Sequence, residues 1–299
     1  MNSTRVRAYA KVNLTLEIVG RDGGYHQLDS LVASIDLFDT VCLKKRKGKL
    51  SSIWMQGQGS EGIPPEKNNA LIAAERYSEQ FGCDGAEIRV LKNIPIGAGL
   101  GGSSADVAGV LTGMQKLYGA ATEQQLEALA EELGSDVKFM LKGGYARMQG
   151  RGEKLTPIEG IQPLHLLLIC PQAEVSAGAS YREYDRLNEW DVPSGATARA
   201  MEALLLEQPQ ELGRCLTNDL YLPSAALCEQ VKTAYLQAQE LSPLGVVMTG
   251  SGSAILALYE GVEACRWAKS RYRGKYKAMV VKTLNPQAER LHWKNPFTR

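Results

Sequence analysis

The sequence predicts an α+β protein of two mixed domains, and three observations lead there. Strand-like and helix-like segments follow one another without strict alternation, which disfavours a doubly wound parallel sheet. The 299 residues are enough for two domains or one large one. A stretch rich in proline and glycine, from Thr156-Pro157 to Gln162-Pro163, marks an internal boundary. We therefore expect domains at 1–158 and 159–299.

The elements follow from periodicity. From Val6 to Gly20 the chain alternates, with Val12, Leu14, Leu16 and Ile18 on one face and Lys11, Asn13, Thr15 and Glu17 on the other. That is the period of a half-buried strand, stopped by the turn cluster Gly20-Arg21-Asp22-Gly23-Gly24. Further extended segments are expected at 39–44, 50–55 and 86–92, with KKRKGK (44–49) as a charged, solvated hairpin tip. Residues 68–81 read as a helix. A second helix runs to Tyr118 on Val107, Val110, Leu111, Met114 and Leu117. Thr122 followed by Gln125 is a capping-box pattern, opening a helix with Leu126, Leu129 and Leu133 inward and Gly134 as its stop. Strands are expected at 144–148 and 153–158.

The second half opens with the buried-strand run LHLLLIC (164–170). Helices are expected near 198–206, 209–215, 224–240 and 262–273. The segments GVVM, AILALY and AMVVKTL read as strands. No repeat at a solenoid period and no low-complexity segment is present.

Composition narrows the function classes. The chain is 44% hydrophobic and 22% charged with a net charge of +1, so its balance calls for neither nucleic acid nor membrane. The basic run RWAKSRYRGKYK (266–277) reads as a solvated helix end rather than an RNA-binding patch. No apolar run approaches the ~20 residues of a membrane helix, and MNSTRVRAYAKVNLTL lacks the pattern of a signal peptide. The six cysteines form no CxxC pair and the three histidines do not join them. That disfavours zinc and suits a reducing, cytoplasmic setting.

The chemistry is concentrated in PIGAGLGGSSAD (95–106), four glycines and two serines between an extended run and a helix. Gly97-x-Gly99-x-x-Gly102 matches the dinucleotide fingerprint formally, but no strand follows the helix where that fold requires one. No Walker A motif exists in the chain. A plain turn would use one or two glycines. The remaining reading is an anion cradle: bare backbone lets phosphate approach, and unpaired amides at a helix start carry partial positive charge. Ser103, Ser104 and Asp106 could cap that helix or hold a hydrated Mg²⁺.

This pattern, a proline, spaced small residues, Gly-Leu-Gly and serines at a helix start, resembles the phosphate loop of the GHMP kinase superfamily. Four further blocks in the same order strengthen the resemblance: AYAKVNLTLEIVGRDGGYHQLDSL (8–31), LGSDVKFMLKGGYARMQGRGEKLTPI (133–158), TNDL (217–220) and MTGSGSAI (248–255). They are similar to the branch of the superfamily that phosphorylates a cytidine diphosphate alcohol in isoprenoid precursor synthesis.

The resemblance implies an N-terminal domain like ribosomal protein S5 and a C-terminal ferredoxin-like α/β sandwich, in a monomer or homodimer that uses ATP and Mg²⁺. Lys11 and Asp136 become the catalytic pair, the aspartate taking the hydroxyl proton and the lysine neutralising phosphoryl charge. Pro95, Gly97, Ala98, Gly99, Leu100, Gly101, Gly102, Ser103 and Ser104 become the ATP cradle, with Asn69 and Lys92 on the adenine-nucleotide side and Ser104 as a metal contact. Asn13, Tyr25, His26 and Tyr181 become substrate contacts, the rings holding the cytosine. Gly250, Ser251 and Gly252 become the closing glycine motif. The chain departs from the family at Ser103, Ala105 and Ala177, and at Val32, where an aromatic residue usually lies against the base. The last change predicts a weaker base contact by ~1 kcal/mol.

Overall fold

In a computed structural model, residues 1–57, 64–187 and 194–284 are described. The first half contains β1 (Ser3–Asn13), β2 (Thr15–Asp22), β3 (Tyr25–Lys45), β4 (Ser52–Gln56), α1 (Asn69–Phe81), β5 (Ala86–Leu91), α2 (Gly102–Tyr118), α3 (Glu123–Leu133), α4 (Val137–Lys142), β6 (Tyr145–Gly150) and β7 (Lys154–Ile158). The second contains β8 (His165–Cys170), α5 (Ala177–Leu187), α6 (Ala196–Leu205), α7 (Pro209–Cys215), β9 (Thr217–Asn218), α8 (Tyr221–Leu227), α9 (Glu229–Gln239), β10 (Gly245–Met248), β11 (Ile255–Tyr259), α10 (Val262–Arg271) and β12 (Lys277–Leu284).

The long strand β3 is the spine of the first half. It pairs antiparallel with β2 at its start, then with β6, β1 and β5 along its length. The sequence expectation found only 39–44 of it, because Asp36 and Asp39 interrupt the apolar alternation. Asp39 is nonetheless fully buried. The expected hairpin at 44–49 is not one. β4 pairs with β5 in parallel, so KKRKGK links strands that are not bonded to each other.

The expected single strand 6–20 is two, β1 and β2, with Leu14 between them donating its N–H to Leu31 C=O at 2.8 Å. It is not half-buried either. Lys11, Asn13, Thr15 and Glu17 are all buried, so the polar face is covered by protein rather than water. Part of that cover is α6. The Glu17 carboxylate accepts from the Thr197 amide at 2.8 Å, the Ala196 amide at 3.2 Å and the Ser194 hydroxyl at 2.7 Å, serving as the cap that Gly195 cannot provide. Burial pushes its carboxyl up, and these hydrogen bonds outweigh that and hold it below the usual range.

In the second half, β8-α9-β10-β11-α10-β12 is a β-α-β-β-α-β run with sheet order β10-β11-β8-β12, every neighbour antiparallel. That is the ferredoxin-like arrangement, with α9 and α10 packed on the sheet and α5 to α8 inserted after its first strand. The last residues of β12, Thr283 and Leu284, also pair with Ile35 and Ser34 of β3, so the halves share a sheet. The helix expected at 224–240 breaks at Cys228, whose backbone is extended between α8 and α9.

Candidate active site

The loop expected to cradle an anion is left-handed at three of its glycines. Gly97, Gly99 and Gly101 take φ values of +68°, +76° and +69°, a left-handed conformation that side chains disfavour. Gly101 is the N-cap of α2 and no side chain caps that helix. The intrahelical ladder begins with Ala105 N–H to Gly101 C=O at 2.9 Å, leaving the amides ahead of it free for an anion. Asp106 therefore does not cap α2, contrary to one sequence option. It is buried in the helix's second turn and turned toward Lys92.

The second glycine loop lies directly behind the first. A Cβ on Gly99 would sit 2.2 Å from Thr249 C=O, and one on Gly250 would sit 2.9 Å from Gly99 C=O. Ala254 N–H donates to Ala98 C=O at 3.2 Å, and Asn218 Nδ2 ties Met248 and Gly250 C=O at 2.7 and 2.9 Å. Backbone touches backbone there, which explains why both loops are bare.

The cradle opens into a cleft of about 330 Å³. Residues 95–104, Asn68, Asn69, Lys67, Lys92, Asp106, Met55 and Glu174 line it. Asn69 donates to Ser103 Oγ at 3.3 Å. Beneath the loop, Lys92 Nζ is bonded to Asp39 and, at 2.6 Å, to Asp106. Burial disfavours that ammonium, but the two carboxylates outweigh it and raise the Lys92 pKa. Burial pushes the Asp106 carboxyl up to about 7 against the pull of Lys92. Its Oδ1 is a buried oxygen with no hydrogen-bond partner.

Lys11 leaves β1 at the cradle's edge. Its N–H donates to Leu100 C=O at 3.1 Å, and its Cγ lies 3.2 Å from where a Cβ of Gly101 would stand. Its Nζ donates to Asn13 Oδ1 at 2.8 Å and lies 3.5 Å from Asp136 Oδ2. Asp136, 27% exposed, precedes α4 without capping it, and neither it nor Lys11 is among the residues lining the cleft. Asn13 ties Lys11 to the second glycine loop, accepting from Gly250 N–H at 3.2 Å.

At the β2–β3 hairpin, His26 stacks on Tyr181 of α5 with centroids 4.8 Å apart and planes at 19°. Burial pushes the Tyr181 phenol up to about 12, and the negative charge of Asp136 adds to it. Tyr25, the next residue on an extended strand, has the Arg151 guanidinium 3.7 Å over its ring. Val32 packs in a small apolar cluster. It is fully buried with Phe139, Ala146 and Met148. Ala177 starts α5, a helix not expected from the sequence. Asp39, Glu174, Arg151 and Asp185 are site neighbours that sequence reasoning missed. Once α5 is known to be a helix, the spacing of four between Asp185 and Tyr181 puts both on one face.

Models of the GHMP kinases' N-terminal domain and C-terminal domain match residues 68–146 and 200–266, and that is the class which fold and site define. The 4-diphosphocytidyl-2-C-methyl-D-erythritol kinase of Caldanaerobacter subterraneus subsp. tengcongensis is 36% identical over 293 residues, covering 95% of this chain and 98% of the relative. That of Symbiobacterium thermophilum is 37% identical, covering 93% and 99%. A crystal structure of 4-(cytidine 5'-diphospho)-2C-methyl-D-erythritol kinase superposes with a TM-score of 0.76 at 33% identity, over 94% of this chain and 99% of that one. The chain belongs to the 4-diphosphocytidyl-2-C-methyl-D-erythritol kinase family of GHMP kinases. A homoserine kinase from Cytophaga hutchinsonii, at 22% identity and a TM-score of 0.75, shares the fold. Among the described residues no helix is long and apolar enough to cross a membrane.

Proposed function

We propose that this chain transfers the γ-phosphoryl group of ATP to the 2-hydroxyl of 4-diphosphocytidyl-2-C-methyl-D-erythritol. The observation that carries the reading is the pairing of Lys11 Nζ with Asp136 Oδ2, 3.5 Å apart, beside a helix start with free amides. Phosphoryl transfer needs positioning and charge stabilisation above all. The amides at 102–104 hold phosphate oxygens. The Lys11 ammonium, buried and anchored by Asn13, faces charge that develops on the transferred group. Asp136 accepts the hydroxyl proton as the nucleophile attacks. Asn69 and Lys92 line the nucleotide cleft, while Tyr25, His26 and Tyr181 serve the cytidine end. 

Asn13 contacts the substrate. In the same reading the domains divide at 158/159, in the segment between β7 and β8.

Mg²⁺ fits the donor set in part. Among the described residues no group of three or more His, Cys, Asp or Glu side chains could hold a metal ion. The unpartnered Asp106 Oδ1 and the Ser103 and Ser104 hydroxyls are hard oxygens beside the cradle, so phosphate and water would supply most ligands. When bound, the ion neutralises phosphate charge.

A coupled ATP assay across the cytidine diphosphate alcohol, homoserine and mevalonate tests the reading. We expect turnover of the cytidine alcohol alone, and a fall in kcat of about 10²–10⁴-fold for Asp136→Asn. Turnover of that variant within severalfold of wild type overturns the assignment of the base.

A further inference from the structure

The hairpin and α5 belong to different halves of the chain, yet one carboxylate joins them. Asp185 lies four residues after Tyr181, so both side chains leave the same face of α5. Its Oδ1 is 2.8 Å from His26 Nε2, its Oδ2 accepts from the Arg21 guanidinium, and that guanidinium is also 3.3 Å from the same Nε2, so the shorter carboxylate contact is the one that claims the Nε2 proton. Arg21 and His26 are register partners across the β2–β3 hairpin, so their side chains share one face of it. Tyr181 stacks on one face of the His26 ring, and Tyr184 meets it edge-on at 5.9 Å and 86°.

Besides these contacts the hairpin tip has the Arg151 guanidinium over Tyr25. Its turn glycines, Gly23 and Gly24, have open space around them, and the register slips between Ile18 and Gly20. An imidazole on such a ribbon needs an external partner to keep one orientation. The His26 side chain is only 11% exposed.

We propose that Asp185 is a positioning residue for the cytidine end of the site. Its carboxylate accepts from His26 Nε2–H and from Arg21, fixing the imidazole tautomer and pinning the hairpin to the helix that carries Tyr181. The rings that receive the base are thereby set before it arrives, which lowers the cost of binding. The inference rests on the cytidine reading above and concerns a residue that does not itself touch the reacting atoms.

The experiment measures Kd for cytidine diphosphate by calorimetry, and KM for the cytidine alcohol and for ATP, on the full chain. Asp185→Ala is expected to raise the first two about tenfold or more, with kcat and KM for ATP within twofold of wild type. Asp185→Asn, which still accepts from Nε2–H, is expected to recover to within about threefold. Arg186→Ala, an exposed neighbour paired with Glu183 on the same helix, serves as control and is expected to change nothing. The proposal is overturned if Asp185→Ala binds like wild type, if its ATP and alcohol constants rise together, or if Asp185→Asn fails as badly as alanine. A wild-type protein that binds no cytidine diphosphate overturns the substrate reading instead, and this proposal with it.

Discussion

The two ends of the site are built from different materials. The phosphate end is backbone: two bare loops pressed together, with amides aimed outward and a buried ion cluster underneath. The end proposed for cytidine is side chain: rings and ions gathered from a hairpin, a turn and a helix in different halves. Backbone amides recognise any phosphate and do not distinguish one nucleotide from another. Rings and an oriented imidazole can select a base. On the proposed reading, general chemistry belongs to one end and substrate choice to the other.

Replacing Lys92 should break the comparison most strongly. Lys92→Met leaves Asp39 and Asp106 buried without their cation, a loss of about 3–5 kcal/mol. Urea unfolding should show it, and adding Asp106→Asn should return part of the loss. An unchanged midpoint for Lys92→Met would mean that the cluster does not support the cradle.

Gly99→Ala should come next. It imposes left-handed strain of about 1–2 kcal/mol at φ +76° and an overpacking cost of about 1–3 kcal/mol against Thr249 C=O. Gly24→Ala, at φ +82° on the hairpin tip with nothing within 4 Å, carries the strain alone. The pair of unfolding curves sharpens the contrast: the cradle glycine should cost more, and only its variant should raise KM for ATP. Equal losses would show that the loops yield to each other.

Local signals made much of this legible. The capping box at Thr122 and Gln125 forms in both directions, and α1 and α2 run as their periodicity predicts. The glycine cradle was legible because positive φ and close approach leave a mark in composition. What escaped was non-local. Lys92 finds Asp39 across 53 residues, Asp185 finds His26 across 159, and Glu17 caps α6 across about 180. No periodicity encodes such pairings. The helix α5 escaped for another reason: AGASYREYDRL is polar and small, buries only Ser180 and Tyr184, and gains its place by packing against α8.

The Glu17 cap joins the halves away from both ends of the site, and its effect should be moderate. Glu17→Gln should cost about 1–2 kcal/mol at neutral pH. Its folded pKa is lowered from an ordinary 4.5, so the ionised cap contributes fully above that value. The contribution fades as pH falls through the folded value, where the carboxyl protonates. Wild type and Glu17→Gln should therefore differ at pH 7 and converge in acid. A gap that persists well below pH 4.5 would mean that charge is not what the cap supplies.

The smallest effect belongs to Arg151. Its guanidinium lies over Tyr25 at an exposed site, and cation–π contacts of that kind are worth about 0.5–1 kcal/mol. Arg151→Ala should lower stability by no more than about 1 kcal/mol, leave KM for ATP unchanged and raise KM for the cytidine alcohol two- to fivefold, because the Tyr25 ring loses the group that orients it. Arg151→Lys should fall between, since an ammonium keeps the charge but not the planar stacking. If KM for ATP moved instead, Tyr25 would belong to the phosphate end, and the division of the site into a backbone end and a side-chain end would fail at the residue where it is thinnest.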